Sequence, residues 1–113
     1  MSLTNPQINE YDLLAGMYRD GYFPNFLVDK IKAILLALCE RIESEQPKDE
    51  KSLLELTHAA TEQINNLAEE FEENDSELET EAREIMAENF EFIVQAYGFQ
   101  NIDIEEVIAP RDW

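Results

Sequence analysis

One cysteine, one histidine and three glycines in 113 residues remove whole classes of chemistry at the outset. With Cys39 alone there is neither an intrachain disulfide framework nor a thiolate zinc cluster. His58 alone cannot supply the several imidazoles of a di-iron or hemerythrin-like centre. Gly16, Gly21 and Gly98 are too few and too scattered to build a phosphate-cradling loop. Bases are scarce too: 8 Lys+Arg stand against 26 Asp+Glu, a formal net charge of −18. Such a chain repels a phosphate backbone and an anionic bilayer, so neither nucleic acid nor membrane is an expected partner. The longest apolar run, Ala33 to Cys39, falls far short of the roughly 20 residues that span a bilayer. Met1 to Glu10 lacks the basic start and apolar stretch of a signal peptide, so the expected compartment is the cytoplasm.

What is present is apolar residue at helical spacing. Hydrophobic residues make up 44% of the chain, enough for one domain over 1–113 that buries about two thirds of its unfolded surface. Strand alternation is absent, and the expected class is all-α: a small antiparallel bundle of three long helices plus short terminal ones. Residues 1–8 are expected to be extended or disordered. A first helix is predicted over about Asn9 to Arg19, stopped by Gly21 in the left-handed cap conformation. Pro24 suits the first turn of a second helix. That helix runs to about Ser44 on Leu27, Ile31, Ile34, Leu35, Leu38 and Ile42. After a linker containing Pro47, a third helix covers about Glu50 to Glu73. Its seam, Leu53, Thr57, Ala60, Ile64, Leu67 and Phe71, has heptad spacing that would also suit a homodimer. Ser76 and Glu79 read as a capping box opening a fourth helix, whose stripe runs from Leu78 through Asn89 to Ala96 and stops at Gly98. A short last helix starts at Asp103, with Val107 and Ile108 turned inward.

The charge is unevenly spread. Residues 1–39 hold four acids and three bases, whereas 69–91 holds eleven acids and one base, Arg83. Glu69, Glu70, Glu72 and Glu73 crowd a predicted helix C-terminus, where each carboxylate costs about 0.3–1 kcal/mol at low salt. Two readings fit this run: a solvated face that keeps the chain soluble, or a surface for a basic protein partner. The candidate partner-binding residues are Glu69, Glu70, Glu72, Glu73, Asp75, Glu77 and Glu81. The 72–77 turn lacks the glycine of a calcium-binding EF-hand loop.

Other constellations are thin. His58 stands one position off the third helix's seam, with Glu62 one turn on as its expected partner. Asn89 lies on a seam and so needs buried partners, with Thr61, Glu88 or Arg111 as candidates; His58, Glu62 and Asn89 form the expected core polar network. Glu40-x-x-Glu43 and Glu72-x-x-Asp75 resemble the magnesium ligands of all-helical nucleotide pyrophosphohydrolases of the MazG type. With this much glutamate, however, roughly three Glu-x-x-Glu pairs arise by chance. Cys39 sits in the apolar run, where burial makes a thiol inert. Tyr18, Tyr22, Phe23 and Phe26 are expected to pack the core. Phe92 and Phe99 fall off the seam, toward the first helix, the tail or another subunit. Nothing calls for a cofactor, a resident metal or a catalytic residue.

Several stretches carry a likeness beyond composition: Asp20 to Lys32, Leu56 to Glu62, Glu73 to Glu77, Ala87 to Phe92, and Arg111-Asp112-Trp113. Together they resemble a family of short bacterial proteins classed as a domain of unknown function. The resemblance implies a bacterial, cytoplasmic origin and transfers no functional residue. The expectation is therefore a non-enzymatic acidic protein that binds a basic partner, as an immunity protein covers a nuclease toxin. The alternatives are a magnesium-dependent hydrolase of nucleotides and a homodimeric structural protein.

Overall fold

Every regular element is a helix among residues 3–76, 78 and 80–113, which the computed structural model describes. In chain order these are α1 Pro6–Glu10, α2 Ala15–Arg19, α3 Asn25–Glu45, α4 Glu50–Glu73, α5 Thr80–Ala96 and α6 Ile104–Val107. None of the described helices is long and apolar enough to cross a membrane.

The long helices follow the apolar spacing. Leu27, Ile31, Leu35, Leu38 and Ile42 of α3 are buried against Leu53, Leu56, Ala60, Ile64 and Phe71 of α4. α3 and α4 make the closest backbone packing, while α5 approaches α1, α2 and α6 most closely. Each large side chain taken out of water here contributes about 1.5–3 kcal/mol. The heptad seam of α4 contributes to this core: Leu53, Ile64 and Phe71 are fully buried within one chain, and Leu67 is partly buried.

The ends are set by capping chemistry. Asp49 opens α4 by accepting the Ser52 N–H at 2.8 Å. α3 closes on Gln46 in the left-handed conformation, its N–H bonded to the Ile42 carbonyl. α5 ends in a Schellman motif at Gly98, φ +98°, with Phe99 N–H on Val94 O and Gly98 N–H on Gln95 O. Pro24 lies just before α3 rather than inside it, and its carbonyl accepts from Leu27 and Val28.

The N-terminal third departs from expectation. Instead of one helix over 9–19 there are two short ones, and part of the stretch expected to be extended is α1. Asn5 caps α1, its side chain accepting from Gln7 and Ile8, and Pro6 takes the first turn, where no N–H is needed. The break falls at Leu14, a leucine in the left-handed region at φ +60°. Its side chain is fully buried, and its N–H donates to Asn89 Oδ1 at 3.0 Å. Gly21 is not left-handed, since α2 already stops at Arg19 with Asp20 extended. The Glu79 half of the expected capping box lies outside the described residues. The Ser76 hydroxyl donates to the Tyr22 carbonyl at 3.2 Å.

Candidate functional site

The acidic run is built on the C-terminal end of α4 and the turn after it. Here α4 ends in a second Schellman motif, with Ser76 N–H on Phe71 O at 2.8 Å and Asp75 N–H on Glu72 O at 3.2 Å. The left-handed position that usually takes glycine is Asp75, at φ +58°, a conformation that short polar side chains tolerate. Glu69, Glu72, Glu73 and Asp75 are exposed and have no cation at ion-pair distance among the described residues. Glu70 differs: Lys30 Nζ of α3 reaches its two oxygens at 2.8 and 3.1 Å. Glu81 is exposed on α5 and has an interaction of its own. Glu77 lies outside the described residues.

Because α3 runs antiparallel to α4, the start of α3 stands beside this turn. Phe23 is buried and meets Phe71 edge-on, ring centroids 6.5 Å apart. Tyr22 and Phe26, expected in the core, are instead 41% and 53% exposed. The Phe23–Phe71 contact and the Ser76–Tyr22 bond hold that corner against the end of α4.

His58, Glu62 and Asn89 do not form one network. His58 Nε2 lies 2.6 Å from the Glu106 carbonyl, which can only accept, so the imidazole donates to the backbone of α6. Glu62 is exposed. Asn89 is buried and satisfied by Leu14 N–H and the Ile85 carbonyl, while Thr61 spends its hydroxyl on the Thr57 carbonyl of its own helix. Asn65 completes the docking of the tail, donating to Pro110 O at 2.9 Å and accepting from Asp112 N–H at 2.8 Å.

The carboxylates considered for magnesium do not converge. Lys30 of α3 pairs with Glu70 near the end of α4, and the chain from Lys30 to Glu43 rises about 20 Å along α3. Glu43 is therefore at the opposite end of the helix pair from Glu72 and Asp75. Among the described residues no group of three His, Cys, Asp or Glu is arranged to hold a metal ion.

Glu43 has a different role, one that its local sequence does not signal. Its carboxylate accepts from Thr4 N–H at 2.9 Å, Thr4 Oγ at 2.9 Å, Asn5 N–H at 3.2 Å and Tyr97 Oη at 2.5 Å. Burial works to raise its pKa, but the donors Tyr97, Thr4 and Asn5 outweigh it and hold the carboxyl below its ordinary range. Beneath it, burial pushes the Cys39 thiol up to about 12, as expected of an inert cysteine. Burial and the Glu43 bond also raise the Tyr97 phenol. The N-terminal segment, Glu43, Tyr97 and Phe99 line an open cleft of about 440 Å³. Phe92 faces the same segment, stacking on Tyr11 with centroids 3.9 Å apart.

No curated protein and no solved structure matches the chain. A family described as a family of unknown function, DUF5713, matches residues 7–113. Because that match takes in all but the first few residues, the chain belongs to the DUF5713 family, whose function is unknown.

Proposed function

We propose that this protein is a non-enzymatic binding module whose acidic face, at the α4 end and the following turn, meets a basic protein partner. The observation that carries the reading is the group Glu69, Glu72, Glu73 and Asp75, exposed and without ion pairs among the described residues. These charges sit where the helix dipole opposes them. They weaken the isolated chain, whereas a cationic surface laid against them would gain from the same field and be steered toward it. An immunity-type protein that covers the cationic cleft of a nuclease toxin is one concrete form. The setting that belongs to this reading is a bacterial cytoplasm, where Cys39 stays reduced.

The test is binding of a fluorescent oligo-lysine peptide over a salt series. Affinity should fall steeply toward about 1 M sodium chloride, where the screening length shrinks to about 3 Å. A Glu69→Gln, Glu72→Gln, Glu73→Gln variant should lose most of it. The same number of glutamines placed at Glu50, Glu55 and Glu62 should cost much less. Equal losses from the two sets would mean that net charge alone attracts the peptide and that this face is no site.

A further inference from the structure

We propose that Tyr22 and Phe26 are the anchors of the partner surface and that they receive an arginine side chain of the basic partner; this rests on the acidic-face reading above. Three large hydrophobic side chains are exposed among the described residues: Tyr11, Tyr22 and Phe26. Tyr11 is accounted for, since its ring stacks on Phe92. Phe26 has no ring partner among the described residues, and the Tyr22 ring is paired there only with Phe23, edge to face with centroids 5.2 Å apart. Both stand at one corner of the molecule, fixed in place by the Ser76 bond to the Tyr22 carbonyl.

Carboxylates surround that corner from four separate segments. Asp20 accepts the Tyr22 N–H at 3.0 Å. Asp29 follows Phe26 by one turn of α3 and accepts the Tyr18 hydroxyl. Lys30, also one turn on, holds Glu70 of α4. Asp75 adjoins Ser76 in the turn. The cations nearby are Arg19, Lys30 and Lys32, of which Lys30 is taken by Glu70 and Lys32 lies over the Tyr18 ring at 5.9 Å.

Open aromatic faces beside carboxylates suit a guanidinium better than other groups. It is planar and weakly hydrated, so it lies flat on a ring while its edge donates to two oxygens. An ammonium is compact and strongly hydrated, and gains less from the rings. Aromatic anchors within a polar rim are also how binding energy concentrates at protein interfaces. Stacked bases would bring phosphates against the acids, and a second copy would bring one acidic rim against another.

Oligo-arginine and oligo-lysine peptides of equal length, titrated into the full chain by fluorescence anisotropy, separate the possibilities. The wild type should bind the arginine peptide about threefold to tenfold more tightly. Phe26→Leu keeps an apolar side chain but removes the π face, and with Tyr22→Ser it should bring that ratio close to one. Lysine-peptide affinity should stay within about twofold, and both exposed sites allow the fold to be checked by unchanged helical circular dichroism. A ratio that survives in the double variant overturns the anchor and leaves the acidic-face reading standing. Self-association of the wild type that Phe26→Leu abolishes also overturns it, by making a second copy the occupant. If neither peptide binds at low salt, both readings fall together.

Discussion

Leu14 keeps a left-handed backbone because two contacts outweigh a steric cost of about 1–2 kcal/mol. Its side chain is fully buried, and its N–H has the Asn89 amide as acceptor. Asn89→Ala leaves that N–H buried without a partner and opens a small cavity, so it should destabilise the fold by about 2–3 kcal/mol. Urea unfolding measures this directly; a loss under about 0.5 kcal/mol would mean that Leu14 is not held by this bond. That Asn89 is a core polar residue is legible from its place on the α5 stripe. Its partner is not, because the partner is a backbone group 75 positions away that no side-chain pattern marks. Tyr22 and Phe26 were opaque for a related reason. Aromatics near a helix start look like core until the tertiary contact of Phe23 with Phe71 decides which of them turns inward.

Among the elements, the stretch leading into α1 has one carboxylate as its main polar anchor, beside the buried Ile8 of α1 itself. Glu43 binds Thr4, Asn5 and Tyr97, and Asn5 adds a bond to the Ala96 carbonyl at 2.8 Å. A carboxyl whose pKa is lowered by folding stabilises above its unfolded value, and that contribution is lost as pH falls through the folded value. The loss should begin as pH drops below the ordinary glutamate pKa of about 4.3 and be complete once it has passed the lowered folded value, loosening this segment. Amide exchange of Thr4 and Asn5, corrected for intrinsic rate, should speed up over that range. In Glu43→Gln it should already be fast at pH 7 and respond little to acid. Wild-type exchange at pH 7 as fast as that of Glu43→Gln would remove Glu43 as the clasp. The start of α1 was within reach of the sequence, since Asn5-Pro6 is a helix-opening pair. The interruption between α1 and α2 was not, because apolar spacing runs through it unbroken.

Over the whole molecule, 26 acids against 8 bases make self-repulsion the main long-range term. Ion pairs such as Lys30–Glu70 and Arg41–Glu45 are exposed and contribute little. Added sodium chloride should raise the unfolding midpoint by about 5 °C, corresponding to about 1 kcal/mol in a domain near this size. A midpoint that falls with salt would show that the ion pairs outweigh the repulsion. Charge and helical class are properties of composition and spacing, and both can be read without coordinates. How α5 is held is not, since α1, α2 and α6 mediate it with few residues each.

The bonds joining Asn5 to Ala96 and Leu14 to Asn89 tie the first described residues to α5. On a ribosome, α3 and α4 can pair as soon as both have emerged, since they are neighbours in sequence. The Leu14 N–H lacks its Asn89 acceptor until residue 89 is outside the exit tunnel, and the Asn5 side-chain amide lacks the Ala96 carbonyl until that follows. Asn5 and Leu14 thus complete their bonds only after α3, α4 and the whole of α5 have been made.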